Sequence, residues 1–278
     1  MRKAGWLLGG VSFFLALAAA ANDWPMVEKG FKPERAFAIG EIDNIRLLNG
    51  GLELAIPLGI RYPVGGAGLS YGFTLHYGSQ LWEYTQNFVP QNGEIRTAAF
   101  PVGGANAGFG WRLSLGEFWP GLDAEAGRFC GMCYVDATGA RHRFTDRLHH
   151  DITGQAGRWF TTDGTYLRLK QITGGWEIEF PSGEIHRFDA AGRLLEIRDR
   201  FTGRVNITYF TDSWMITDSE ERTHWIQLVN VPNYGKAVSS LSLSAFGGTN
   251  FADYAFTYEN FFVPRSCLDD YAGTTDTV

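Results

Sequence analysis

From residue 129 onward, short strand-like runs are cut at nearly regular intervals by glycine-bearing turns, and this rhythm constrains the fold more than any other feature of the chain. The turns fall at Ala137-Thr138-Gly139, Thr162-Asp163-Gly164, Thr173-Gly174-Gly175, Pro181-Ser182-Gly183, Ala190-Ala191-Gly192 and Phe201-Thr202-Gly203. From the second turn on they are roughly ten residues apart, the spacing of an antiparallel meander. Glycine supplies the positive φ that tight turns demand. No stretch keeps a capped 3.6-residue period; the nearest helix candidate, Ser219 to Leu228, fits a strand at least as well through Thr223, Trp225 and Ile226. With 35 Gly in 278 residues and 15% aromatics, the composition suits many short strands joined by tight turns. The expected fold is all-β, an antiparallel meander of short strands and hairpins, in one large domain or two small ones.

The N-terminus reads as a signal peptide over residues 1–21. Arg2 and Lys3 form a basic start, Trp6 to Leu17 an apolar core, and Ala18-Ala19-Ala20-Ala21 a small-x-small cleavage site. The apolar run is shorter than the roughly 20 residues of a membrane span. The expected location is therefore outside the cell, at its surface or in its envelope, with no membrane span after signal removal. Removing Arg2 and Lys3 takes the net charge from −6 to −8, which repels phosphate backbones and argues against a nucleic-acid partner.

Residues 22–44 read as an exposed lead-in, and residues 45–128 as an N-terminal β region. Asn49-Gly50 between two alternating runs is a hairpin signal, although Pro57 places the second strand at an edge or near its end. Tyr62 to Gly68 reads as a turn. In the following run Leu69, Tyr71, Phe73, Leu75 and Tyr77 share one face, the expected core face. Residues 78–108 show little regularity. A second β region spans residues 129–263, and residues 264–278 form a polar tail.

Chemistry-bearing motifs are sparse. Cys130-Gly-Met-Cys133 lies in strand and turn context rather than at a helix N-terminus, which favours a local or long-range disulfide, or two semi-buried thiols, over a redox site. Cys267 is left over. His142, His149 and His150 follow, but form no second spaced pair for zinc, so no metal site is expected. The serine-nucleophile, phosphate-loop and zinc-protease patterns are absent, and no cofactor is implied. Glu177, Glu179 and Glu184 occupy polar strand phases and read as an exposed face rather than a glycosidase pair. No catalytic residue is assigned.

The stretch from Gly183 through Ile185-His186-Arg187-Phe188-Asp189, Ala190-Ala191-Gly192-Arg193-Leu194, Asp199 and Gly203 to Tyr209 resembles an RHS or YD repeat. Its motif positions are Gly183, Phe188, Asp189, Gly192, Arg193, Leu194, Asp199, Gly203 and Tyr209, with Phe188 where the family usually has Tyr. Tyr134 to Phe144 and Gly175 to Gly183 are partial echoes. The resemblance implies hairpins that stack because one copy cannot bury its apolar face alone, winding into a β-shell that encloses or displays another segment. One clear copy implies an open or incomplete shell. The Asp beside the aromatic is expected to hydrogen-bond the turn backbone.

These features point to an exported, non-catalytic β-scaffold whose partners are further β-repeats or another protein. The alternative is a secreted binding module for cell-surface glycans or a partner protein, using exposed aromatics among Trp82, Trp111, Trp119, Trp159, Trp176, Trp214 and Trp225. A glycoside-active enzyme is a remote third reading.

Overall fold

The computed structural model describes residues 37–40, 42–47, 50–66, 68–89, 94–123, 126–146, 157–245 and 251–260. The signal-peptide segment, the polar tail, His149, His150 and Cys267 lie outside the described residues. Within them every regular element is a strand and none is a helix.

The N-terminal part opens with β1 (Phe37–Ile39), β2 (Asp43–Arg46), β3 (Leu52–Val64) and β4 (Leu69–Gly78), then the separate hairpin β5 (Trp82–Val89) and β6 (Glu94–Pro101). A short β7 (Trp111–Leu113) returns to pair with β4, giving a sheet of order β1-β2-β3-β4-β7. The lead-in thus contributes β1 and the start of β2. The stretch that looks irregular in sequence holds a continuous antiparallel hairpin, from Trp82 opposite Pro101 to Val89 opposite Glu94.

β3 does not end at Pro57. It continues to Val64, because Tyr62 and Val64 are buried core residues, and its register with β4 shifts between Leu58 and Tyr62. β2 pairs only with Leu52 to Leu54, so Pro57 lies on a stretch whose β2 side is open. The turn begins at Gly65 rather than Tyr62, with Gly65 at φ +63. In β4, Leu69, Tyr71 and Phe73 are buried as their alternation requires, while Leu75 and Tyr77 are half-buried.

The rest is one long meander. Its strands are β8 (Glu117–Trp119), β9 (Cys133–Val135), β10 (Arg141–Thr145), β11 (Arg158–Thr161), β12 (Arg168–Ile172), β13 (Gly175–Glu179) and β14 (Ile185–Asp189), followed by β15 (Leu194–Arg198), β16 (Arg204–Tyr209), β17 (Ser213–Asp218), β18 (Thr223–Val231), β19 (Gly235–Ser244) and β20 (Phe251–Ala255). All 13 pair antiparallel in chain order, so the sheet starts a little before residue 129 and includes the Thr223-Trp225-Ile226 segment as strand. Period-two alternation sets the faces. In β16, Val205 and Ile207 are buried while Arg204, Asn206 and Thr208 are exposed.

The sheet curls on its apolar face without forming a closed barrel. The Phe118 N–H donates to the Gly192 carbonyl at 2.9 Å, so β8 meets the β14–β15 turn. The Phe118 ring packs on Phe144, Trp176 and Phe188. The β3–β4 hairpin covers the other half, and a single apolar cluster runs from Tyr62, Tyr71 and Phe73 to Ile216, Ile226 and Leu243. Burial of this two-sheet core is the main favourable term holding the layers together.

Candidate functional site

The hairpin turns share one construction. At Asp189 the backbone closes through Asp189 N–H to Arg193 O (3.0 Å) and Gly192 N–H to Asp189 O (3.1 Å). The Asp189 carboxylate accepts from Arg193 N–H (2.9 Å) and Arg193 Nε (2.7 Å). Asp136 repeats this scheme, accepting from the N–H groups of Thr138 and Ala140, each at 2.9 Å. Asp218 repeats it again, accepting from the N–H groups of Glu220 (2.9 Å) and Arg222 (3.1 Å). Asp199 does likewise for Phe201 (2.8 Å) and Gly203 (3.0 Å). The carboxylates satisfy donors that a tight turn would otherwise leave unpaired. The left-handed position is Gly139 (φ +88), Gly192 (φ +88) or, at the Asp218 turn, Glu221 (φ +61).

The nine motif residues do not form one cluster. Gly192, Arg193, Leu194 and Tyr209 lie together at one end of the hairpins, where the Tyr209 hydroxyl donates to Leu194 O (2.9 Å) and the Arg193 guanidinium sits 5.2 Å from the centre of the Tyr209 ring. Gly183, Asp199 and Gly203 lie at the opposite end, beside Arg200 and the start of the Gly65 turn. Asp189 belongs to the first group through Arg193, and Phe188, buried, stands at the same end opposite Leu194. Alternating hairpin ends impose this separation. A phenol at Phe188 would place a hydroxyl in the apolar cluster.

The first group walls a chamber of about 340 Å³ between the β7–β8 segment and the inner face of β15–β18. Phe73, Leu113, Leu194, Ile216 and Ile226 form its buried end; Phe210, half exposed, and Lys236 stand at its open end.

Two histidines sit where sequence spacing does not bring partners together. His142 Nδ1 is 2.8 Å from Asp163 Oδ2 and its Nε2 is 3.5 Å from Asp136 Oδ2, so the ring ties the β9–β10 turn to the β11–β12 turn. Burial disfavours its charge, but hydrogen bonds and attraction from Asp136 and Asp163 overcome that and push its pKa up to about 9. His224 is fully buried between the sheets. Ser244 N–H donates to its Nδ1 (3.0 Å), which puts the ring proton on Nε2, donating to the Tyr71 hydroxyl (2.7 Å); that hydroxyl donates to Asp218 Oδ2 (2.7 Å). Burial lowers the His224 pKa to about 4, so the ring is neutral. The Asp218 turn contributes one sign to this link, since the same residue caps its own hairpin. Nothing in the spacing of Tyr71, Asp218 and His224 reveals it.

The polar face also departs from expectation. Glu177 is buried, 4% exposed, within a cross-strand ladder to Lys170 (2.5 Å) and Arg198 (3.2 Å). Glu179 pairs with Arg168 and Lys170. Glu184 faces the His186 ring at 2.6 Å. Glu196 extends the ladder to Arg187 and Arg204. Neighbouring strands stand close enough that opposite charges cover one another.

Cys130 and Cys133 are joined in a disulfide, with Cα atoms 5.7 Å apart. The described tryptophans are buried or half-buried, so the exposed aromatics are others. Tyr166 is the most exposed of them, 76%, at φ +54. With Phe160, Phe180 and Pro181 it lines an open groove of about 530 Å³. Among the described residues no group of three or more His, Cys, Asp or Glu is placed to hold a metal ion, and no helix is long and apolar enough to cross a membrane. Fold and turns define an all-β protein built on a long antiparallel meander with carboxylate-capped hairpins. No family model, curated protein or solved structure matches the chain.

Proposed function

We propose that the chain is an exported, non-catalytic β-scaffold of the RHS/YD-repeat type, which packs with further β-repeats, its own or a partner's, and displays or encloses another segment. The observation that carries this reading is the recurrence of one carboxylate-capped turn at Asp136, Asp189, Asp199 and Asp218 along a single meander. A structural unit repeated in chain order extends by adding the next unit to an edge.

β20 provides that edge, with no strand beyond it among the described residues. Phe256 N–H donates to Ser239 O (2.9 Å). By alternation Ala252 and Tyr254 also face β19, and the N–H groups of Asp253 and Ala255 point away. Ala255→Pro therefore removes an outward donor while leaving the β19 ladder intact. Sedimentation velocity of the mature chain should show concentration-dependent association that Ala255→Pro reduces at least fivefold in apparent association constant. A monomer at every concentration, or association indifferent to the proline, contradicts pairing at this edge.

The Tyr166 groove favours a second reading, a secreted binding module for cell-surface glycans. A strained backbone that holds an aromatic ring in solvent suits stacking on a sugar face. A glycan screen with saturable hits lost in Tyr166→Ala would support it; a screen without hits would exclude it.

A further inference from the structure

We propose that the chamber between the β7–β8 segment and β15–β18 is a binding site for a small, uncharged, apolar molecule. Its volume, about 340 Å³, falls within the roughly 300–1,000 Å³ of small-molecule sites. It is also larger than the apolar cavity of about 150 Å³ that stays dry and takes up benzene.

Most of the polar side chains around it are already partnered, and this fixes the ligand's chemistry. The Asn106 amide donates to Leu113 O (2.9 Å) and accepts from Leu113 N–H (2.8 Å). The Tyr209 hydroxyl donates to Leu194 O, and Ser114 Oγ accepts from Gly116 N–H (2.9 Å). At the rim Arg193 pairs with Asp189 (2.7 Å), Lys236 with Asp212 (3.0 Å) and Arg128 with Glu117 (3.8 Å), so the cations are matched by carboxylates. A charged or strongly polar guest would lose its hydration for few new partners, whereas an apolar guest loses nothing. Tyr209 and Trp214, edge to face with ring centres 5.4 Å apart, present aromatic surface at the half-buried side. The site belongs to one chain and stands whether or not the meander pairs with further repeats.

The test is a fluorescence titration of the full chain with N-phenyl-1-naphthylamine, an uncharged probe whose emission rises in apolar surroundings. The expected result is one saturable site per chain. Leu228→Trp, which adds volume at the chamber wall, and Ile216→Phe, which adds it at the buried end, each weaken binding at least tenfold. Urea unfolding checks that each variant still folds cooperatively. Leu122→Ala, at an exposed residue outside the chamber, leaves affinity unchanged, and the sulfonated anionic analogue binds at least tenfold more weakly than the neutral probe. Absence of saturable binding, retention of affinity in both filling variants, loss in Leu122→Ala, or equal binding of the anion would overturn the proposal.

Discussion

Gly192 carries two independent requirements. Its φ of +88 is a conformation that side chains resist, and a Cβ there would run into the carbonyl oxygen of Phe118, the same β8 residue whose N–H bonds the Gly192 carbonyl. Gly174 has nearly the same φ, +82, but nothing within reach of an added Cβ. The two glycines therefore separate backbone strain from close approach. Gly174→Ala should cost about 1 kcal/mol, the left-handed penalty alone. Gly192→Ala should cost about 3 kcal/mol or more, because β8 must also move. Urea midpoints of the two variants measure the difference; equal costs would mean that the β8 contact adds nothing. Both glycines are visible in the sequence as turn formers. That only one of them touches another strand is not, because turn chemistry is local and the β8 contact joins residues far apart in the chain.

At the scale of elements, two histidines tie units together with opposite signs. His142 links two hairpin turns as a cation. Its folded pKa of about 9 lies above the ordinary 6.5, so its contribution is complete below pH 6.5 and disappears as pH rises through about 9. His224 links the β3–β4 hairpin to the meander as a neutral ring. Its folded pKa of about 4 lies below 6.5, so its contribution is complete above pH 6.5 and is lost as pH falls through about 4. Asp136 and Asp163, whose carboxyls are held below the usual 3.8 because hydrogen bonds from His142 outweigh their burial, add to the acid limb at lower pH. Stability should peak near pH 6.5, and His142→Gln should flatten the alkaline limb by about 2 kcal/mol between pH 6.5 and 9, and should also shallow the part of the acid limb that Asp136 and Asp163 supply through their bonds to His142. Urea denaturation across pH reads both limbs; an alkaline limb unchanged in His142→Gln would remove the staple from the account. The strands themselves were largely legible: the Asn49-Gly50 hairpin, the odd-numbered face of β4 and the spaced turns of the meander follow from alternation and turn residues. The passage of β3 through Pro57 and the β5–β6 hairpin were not, since their polar and proline-bearing segments hide a pairing that only the partner strand supplies. The burial of Glu177 escaped for the same reason: alternation assigns it to the polar face but does not say that Lys170 and Arg198 will cover it.

For the whole molecule, a curled 13-stranded sheet leaves one apolar face shared with the β3–β4 hairpin and one charged face laced by cross-strand ion pairs. Exposed sheet edges invite pairing unless they are charged, kinked or covered. β20 has Asp253 on its outward phase, but Phe251 and Ala255 beside it are apolar and exposed. The repeated turn and this edge are the physical content of the scaffold reading. The chamber, by contrast, arises only when β7 and β8 lie over β15–β18, a juxtaposition that no spacing in the chain encodes.

The most direct measurement is the intact mass, under native conditions, of the species that carries these residues in the exported fraction. The account predicts a larger assembly or a larger polypeptide containing this meander. A lone species slightly below the 30.9 kDa of the full chain, folded and monomeric, would contradict it and leave a self-contained binding module.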